Sequence, residues 1–260
     1  MSNYEEVMTP VKNILVSQPK PETSKNPYTD LAEKFKVNFE FRQFIRIEGI
    51  PAKEFRKQRI DIKEYTAIIL TSKNAIDHFF RVCEELRIRM SEDTKYFCIS
   101  EAVAVYLQKY IQFRKRKIFF GANGKENELF DVMTKHIPNE KILFPCAHEH
   151  RDNINQFLIS KNADFSEAFI YETIPTDLND LKPIHQFDMI VLFTPKGADS
   201  LFFNFPDFKQ EKLRIACMGD LTLKSLESNK IRIDVCAPTA ETPSIFMAIE
   251  KYLSVVNKRK

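Results

Sequence analysis

The sequence predicts an α/β fold built from two similar units. Short apolar runs recur along the chain, and amphipathic segments with helical spacing lie between many of them. This alternation is typical of mainly parallel sheets that are covered by helices. An internal repeat, offset by 119 to 128 residues, indicates that the same strand–helix pattern occurs twice.

The predicted elements follow from hydrophobic spacing. The apolar runs expected to form strands are 13–17, 39–45, 67–72, 96–100, 117–120, 141–145, 168–172, 189–194, 214–218 and 231–237. Three segments between them show a helical stripe, formed by Ala75, Phe79, Val82 and Leu86, by Ala102, Val105, Leu107 and Ile111, and by Ile154, Phe157 and Leu158. The aromatic pairs Phe79-Phe80 and Phe202-Phe203 also have helical spacing, and we expect them in the core.

The repeat aligns residues 69–80 with residues 192–203. Further matches place Cys98 over Cys217, Ile14 over Ile142 and Phe44 over Phe169. No low-complexity segment separates the two copies, so we expect short connections between them. Tyr171 breaks the pattern, because Arg46 occupies the corresponding position of the other copy.

Composition excludes several classes of protein. The net charge of +3 is too small to indicate nucleic-acid binding by itself, and no apolar stretch approaches the roughly 18 residues of a membrane span. The polar first ten residues resemble neither a signal peptide nor a transit peptide, which favours a cytoplasmic protein. The five cysteines form no CxxC pair, and we expect them to be reduced, buried thiols.

The five glycines complete neither a GxGxxG dinucleotide motif nor a P-loop, and the chain also lacks GxSxG and HExxH. Polar residues instead follow several predicted strands where a helix should begin. They include Thr71, Ser72, Ser100, Thr194 and Gly219. Free N–H groups and the positive dipole end at such places favour anions. Two such units facing each other would form a cleft for a ligand with several carboxylates or phosphates.

Six segments in order resemble the signatures of one family. They are Thr71–Ile76, Leu143–Cys146, residues 161–164 with Ile170–Thr173, Leu192–Ala198, Ile215–Thr222 and Ala237–Ser244. Together they are similar to uroporphyrinogen-III synthases from about Val11 to Leu253. Glu101 and Asp220 depart from the family pattern, since each places an acidic group near the expected anion site. Asn162 replaces a common glycine, and asparagine tolerates a left-handed backbone.

The resemblance implies two flavodoxin-like domains, each a parallel sheet with helices on both faces, joined by two extended crossings near residues 41–47 and 168–173. One domain would contain residues 1–43 with 174–260, and the other residues 44–173. The implied reaction cyclises hydroxymethylbilane to uroporphyrinogen III, with loss of water and inversion of the last ring. The resemblance implies no cofactor and no metal. It also implies a hand-off from the upstream hydroxymethylbilane synthase, and we expect a monomer.

The resemblance also suggests the site residues. Tyr171 is the implied proton donor for the departing hydroxyl, and a phenol of ordinary pKa is protonated at pH 7. The expected substrate-binding residues are Thr71, Ser72, Asn74, Ser100, Thr194, Lys196, Gly197, Gly219 and Thr222. The threonines and serines among them are also good helix caps, and Tyr171 is equally suited to packing between domains.

Alternative interpretations stay open. A cytoplasmic, non-catalytic binding protein for a polyanionic ligand would use the same fold. The basic runs 114–117 and 258–260 suggest RNA binding, but the interleaved aromatic residues of a stacking surface are missing. The Cys146-Ala-His148-Glu-His150 run suggests a metal site, but with no further ligand cluster evident, a polar loop is the preferred interpretation.

Overall fold

The computed structural model describes residues 9–150 and 152–257. The chain divides into two compact units, one formed by Met1–Arg46 with Ile174–Lys260 and the other by Ile47–Thr173. The strands are β1 (Asn13–Val16), β2 (Asn38–Phe41), β3 (Ile45–Gly49), β4 (Ala67–Leu70), β5 (Lys95–Cys98), β6 (Ile118–Phe120), β7 (Lys141–Ala147), β8 (Asp164–Pro175), β9 (Met189–Leu192), β10 (Arg214–Met218) and β11 (Val235–Ala237). The helices are α1 (Pro27–Phe35), α2 (Ala52–Phe55), α3 (Lys73–Glu85), α4 (Glu101–Leu107), α5 (Glu126–Thr134), α6 (Asn153–Ser160), α7 (Pro195–Asn204), α8 (Asp220–Ser228) and α9 (Ile245–Val256).

The discontinuous unit contains a sheet of five strands in the order β11-β10-β9-β1-β2. Every adjacent pair in this sheet is parallel. Successive residues of β1 belong to different cores. Ile14 packs with α1 and α9, whereas Leu15 packs with α7 and α8. Successive side chains of a strand point to opposite faces, so helices cover both faces of this sheet.

The continuous unit contains a sheet of six strands in the order β3-β8-β7-β4-β5-β6. The pairs from β8 through β6 are parallel. Ile68 packs with α3 and α4 on one face, whereas Ile69 packs with α5 and α6 on the other. The predicted α/β class with parallel sheets is therefore confirmed in both units.

The sequence repeat corresponds to a repeat of topology. The order β2-β1-β9-β10-β11 in one sheet matches β8-β7-β4-β5-β6 in the other. Ile14 in β1 aligns with Ile142 in β7, and the segments that begin in β9 and β4 carry the longest sequence match. The two boundaries between the units fall within β3 and β8. In the six-stranded sheet, β3 is an edge strand and β8 is its neighbour.

Several sequence-based expectations need correction. Val105 is 54% exposed, because α4 buries Val103 and Ala104 together with Leu107, the one member of the predicted stripe that is buried in this helix. Phe203 is 72% exposed, so it does not belong to the core. A helix of ten residues or fewer buries only one narrow face, and spacing alone does not identify which of two neighbouring positions it buries.

The predicted run 231–237 forms a strand only over Val235–Ala237. The five cysteines are free thiols, of which Cys236 is only partly buried. Asn162 has a φ of 50°, so the expected left-handed conformation is confirmed. Within the described residues, no helix has the length and apolar character needed to cross a membrane. The basic run 258–260 lies outside the described residues.

Two phenylalanines that the sequence treats alike should respond differently to truncation. Phe79 is fully buried, and Phe79→Ala should cost about 3–5 kcal/mol through lost burial and the cavity left behind. Phe203→Ala should change the free energy of unfolding by less than about 0.5 kcal/mol. Urea denaturation of both variants measures the difference, and equal losses would contradict the observed core.

Candidate functional site

Two helix N-termini meet the carboxyl edge of the sheet in the continuous unit. The Ser72 hydroxyl accepts a hydrogen bond from the Ala75 N–H at 3.0 Å and caps α3, which follows β4. Ser100 caps α4 after β5 and accepts from the Val103 N–H at 3.4 Å. Because β4 and β5 are parallel neighbours, both caps lie at the same edge, with Thr71 next to Ser72. The edge therefore offers hydroxyls and helix N–H groups to an anion.

Tyr171 lies on β8 directly after a bulge. Cys146 of β7 pairs with Phe169, but the next residue, Ala147, pairs with Tyr171, so β8 has one extra residue here. Such a bulge changes the direction of the following side chain and is common beside active sites. The half-buried Tyr171 makes a side-chain hydrogen bond with Ser72. The structure thus brings together two residues that were predicted separately.

The environment of Tyr171 keeps its phenol protonated. Burial raises its pKa above the ordinary value, and the hydrogen bond from Ser72 opposes this effect. The nearby Cys146 raises the pKa further. A phenol with a raised pKa holds its proton throughout the neutral range, so it is suited to donating a hydrogen bond or a proton.

His78 packs against the Tyr171 ring. The two ring centroids are 5.3 Å apart, with 30° between their planes. The Nδ1 atom of His78 accepts a hydrogen bond from Nε of Arg81 at 3.3 Å. Burial lowers the pKa of His78, as does the positive charge of Arg81, whereas Asp77 opposes them. The imidazole is consequently neutral at pH 7 and presents a flat uncharged face to Tyr171.

Arg81 holds the backbone around this pair. Its Nη2 atom donates to the carbonyl oxygen of Ile50 at 2.8 Å and to that of Ile170 at 3.2 Å. Gly49 precedes Ile50, and a Cβ atom at residue 49 would lie 2.7 Å from both Arg81 Nη2 and His78 Nδ1. Only glycine fits there without moving Arg81 or His78, the side chain that packs on Tyr171.

The discontinuous unit has a similar edge with different chemistry. The exposed Thr194 caps α7 and accepts from the Gly197 N–H at 3.0 Å. Gly197 is buried, and Lys196 lies 4.0 Å from the Asp199 carboxylate. This cluster follows β9 and combines a hydroxyl, a helix N-terminus and one ammonium group, which together suit a carboxylate.

The second helix at this edge begins without a side-chain cap. Gly219 has a φ of 89°, a conformation that favours glycine, and its N–H donates to the Ala237 carbonyl at 2.7 Å. The first turn of α8 is thus available to a ligand. Thr222 is only 2% exposed, so it offers almost no surface to a ligand, contrary to expectation.

The structure groups most predicted site residues by unit. Thr71, Ser72, Ser100 and Tyr171 lie at the edge of one sheet, and the exposed Asn74 lies in the first turn of α3. Thr194, Lys196, Gly197 and Gly219 lie at the corresponding edge of the other sheet, because β9 and β10 are parallel neighbours. None of these residues belongs to the group of close metal-ligating side chains found in residues 9–150 and 152–257.

The sequence analysis missed His78 and Arg81. The repeat contains an indication of His78, because the aligned residue of the other copy is the fully buried Leu201. A histidine at a position where the other copy has a core leucine needs a polar or aromatic partner. Tyr171 also differs from its aligned residue, Arg46. The two residues of the stacked pair, His78 and Tyr171, are therefore both positions at which the copies of the repeat differ.

The chain matches a known protein family over most of its length. Residues 27–247 match the family described as uroporphyrinogen-III synthase HemD. The chain belongs to the uroporphyrinogen-III synthase family. Members of this family are lyases of porphyrin biosynthesis, and membership implies hydroxymethylbilane as the substrate.

Relatives agree with this family assignment. The chain is 25% identical over 210 residues to uroporphyrinogen-III synthase of Saccharomyces cerevisiae. This match covers 71% of this chain and 75% of that protein. It is 27% identical over 255 residues to porphyrin biosynthesis protein HemD of Ruminiclostridium josui, covering 93% of this chain and 48% of that protein. Its fold is similar to that of uroporphyrinogen-III synthetase from Helicobacter pylori, with a TM-score of 0.56, 18% identity and coverage of 94% of this chain and 99% of that chain.

Replacing Gly49 should disturb the packing of Arg81 and His78. Gly49→Ala forces the Arg81 and His78 side chains to move, and we expect a loss of about 1–3 kcal/mol in stability, as for other overpacked sites. Chemical denaturation measures the loss. Ile47→Ala on the same strand is the control, since Ile47 is 42% exposed and should cost less than about 0.5 kcal/mol. Equal stability of Gly49→Ala and the parent protein would contradict the close packing.

Proposed function

We propose that this protein cyclises hydroxymethylbilane to uroporphyrinogen III, with loss of water and inversion of the last ring through a spiro intermediate. The observation that carries the proposal is the family match over residues 27–247. The helix N-termini at the two sheet edges support it, because each ring of the substrate carries carboxylates that such N–H groups can bind.

Tyr171 is the proposed general acid. The bond to the terminal hydroxyl breaks, and the phenol donates the proton that turns the departing hydroxyl into water. Ring closure releases a proton, so the overall conversion forms one water without net proton uptake and without a redox partner. The phenol enters the reaction protonated, as this role requires, because its pKa is not lowered from the ordinary value. The Ser72 hydrogen bond and the His78 face support the orientation of the phenol.

The remaining residues are proposed to bind and orient the substrate. Thr71, Ser72, Asn74 and Ser100 would hold carboxylates at one edge, and Thr194, Lys196 and Gly219 would do so at the other. The buried Gly197 would shape the first turn of α7, because its N–H already donates to Thr194. Thr222 would instead support the start of α8 from inside the unit. Most of the rate acceleration would come from holding the two ends of the linear substrate close together.

The proposal extends to the molecule as a whole. The strand order of each sheet supports two flavodoxin-like domains, and the unit boundaries within β3 and β8 support two extended crossings. We further propose a cytoplasmic monomer that works without a cofactor or metal and receives its substrate from hydroxymethylbilane synthase.

Product isomers test the reaction directly. Hydroxymethylbilane is made in situ, the purified protein is added, and the oxidised porphyrins are separated by chromatography. Isomer III should dominate without added metal or nucleotide, whereas the spontaneous reaction gives isomer I. Only isomer I from a protein shown to be folded would exclude the synthase and favour a binding protein for a polyanionic ligand.

Tyr171→Phe should lower kcat by about 100-fold or more, which is the contribution typical of a general acid. The variant keeps the ring that stacks on His78, so its thermal unfolding should match that of the parent protein. Tyr106→Phe is the matched control, because it removes a phenol hydroxyl that donates to Asp77 and that has no proposed role in the reaction. Unchanged turnover in Tyr171→Phe would remove the phenol from the mechanism.

A further inference from the structure

A group of three metal-ligating side chains lies on the continuous unit. The Sγ atom of Cys146, a ring nitrogen of His150 and a carboxylate oxygen of Glu167 all lie within 4.8 Å of one another. Cys146 is near the end of β7, His150 is in the loop that follows, and Glu167 is on the adjacent strand β8. The register of these strands pairs Phe144 with Glu167, which fixes the carboxylate beside the thiol.

The hydrogen bonds of His150 orient its ring for a cation. Its Nδ1 atom lies 2.9 Å from the carbonyl oxygen of Ala147, which can only accept a hydrogen bond. Nδ1 therefore carries a proton, and Nε2 faces the Glu167 carboxylate at 2.8 Å. At this distance Nε2 either donates an N–H to the carboxylate or offers its lone pair to a cation that it shares with Glu167. A backbone carbonyl on the far nitrogen is the usual support of a metal-binding histidine.

Asn155 supplies an independent observation at the same place. Its side chain is only 8% exposed. The Nδ2 atom donates to the Glu167 carboxylate at 2.6 Å and lies 3.5 Å from His150 Nε2. Its Oδ1 atom is buried and has no hydrogen-bond partner. An unpartnered buried amide oxygen is costly, so the Asn155 amide keeps this orientation at a cost while its Nδ2 atom faces Glu167 and His150.

We propose that Cys146, His150 and Glu167 form a binding site for a divalent cation of the zinc class. The donor set decides the class, because thiolate and imidazole favour zinc over magnesium or calcium, which prefer oxygen ligands alone. Three protein ligands leave a fourth tetrahedral position for water or a further ligand. The new bonds join zinc to Sγ, nitrogen and oxygen, and the proton of the thiol passes to the buffer.

The bound cation would connect the loop after β7 to strand β8. Cys146 and Glu167 lie on regular strands, whereas His150 belongs to the loop before α6. Zinc at 100 times its dissociation constant should therefore raise the Tm of the protein by about 5 °C or more. The proposal concerns binding of the metal alone and is independent of the synthase reaction.

Binding is tested on the full chain under reducing conditions after removal of metal by chelator. Titration calorimetry with Zn²⁺ should give one site per chain. Co²⁺ should bind at the same site and give thiolate-to-cobalt absorption in the near ultraviolet. Absence of zinc binding to the folded, reduced protein would overturn the proposal, and would leave a plain ion pair between His150 and Glu167.

Substitutions identify the ligands. Cys146→Ser should abolish the thiolate–cobalt band, and His150→Ala should weaken zinc binding by about 100-fold or more, since even outer-shell substitutions typically cost 10–100-fold. Glu167→Gln is nearly isosteric and should weaken zinc binding by at least about tenfold. This variant tests the site even if a substitution of the buried Cys146 prevents folding.

Two matched controls separate this site from adventitious binding. His148→Ala removes the neighbouring histidine, which is exposed and absent from the ligand group, so zinc affinity should change by less than about threefold. Cys236→Ala removes a partly buried thiol of the other unit and should leave the cobalt band intact. Loss of binding in His148→Ala with full binding in His150→Ala or Cys146→Ser would contradict the proposed ligands.

Discussion

In each unit, a polar side chain near the end of one helix makes hydrogen bonds to the backbone in or just beyond strand β3 or β8. Arg81 of α3 donates to the carbonyl oxygens of Ile50 and Ile170 in the continuous unit. Its repeat partner in the discontinuous unit is Asn204 of α7, which donates to the carbonyl oxygen of Thr176 at 2.9 Å and accepts from the Leu178 N–H at 3.0 Å. Backbone groups that leave a sheet need new partners, and these two side chains provide them.

The same two positions also explain how the units have diverged. Arg81 is long and charged, so it reaches the backbone and still contacts His78, which in turn packs on Tyr171. In the other unit, the residue aligned with His78 is Leu201, which is completely buried. One copy of the repeat therefore carries the stacked pair of His78 and Tyr171, while the other keeps an apolar helix face and a capped N-terminus.

Both edges present backbone N–H groups of the kind that favours anions. Ser72, Ser100 and Thr194 each satisfy one N–H of a helix and leave others in the first turn without a helical acceptor. Hydroxyl caps and N–H groups bind carboxylates with few positive side chains, which is compatible with the small net charge of +3. A substrate with many carboxylates thus needs no strongly basic protein surface.

The sequence by itself determined the α/β class, the repeated topology and the starts of the capped helices. These features depend on local spacing and on hydrogen bonds between residues two or three positions apart, as in the Ser72 cap of α3. The sequence motifs also identified the family, because their order along the chain needs no knowledge of contacts. The prediction of Tyr171 as a site residue also came from these motifs.

Only the tertiary structure decided which distant residues act together. His78 and Tyr171 are far apart in sequence, and they meet because α3 packs against the strand that carries Tyr171 after a bulge. Glu167 joins Cys146 and His150 because β7 and β8 are paired in one particular register. The exposure of Phe203 and Val105 was likewise decided by which face of a short helix meets the sheet. Hydrophobic spacing predicts that a face is buried, but only packing selects the partner that covers it.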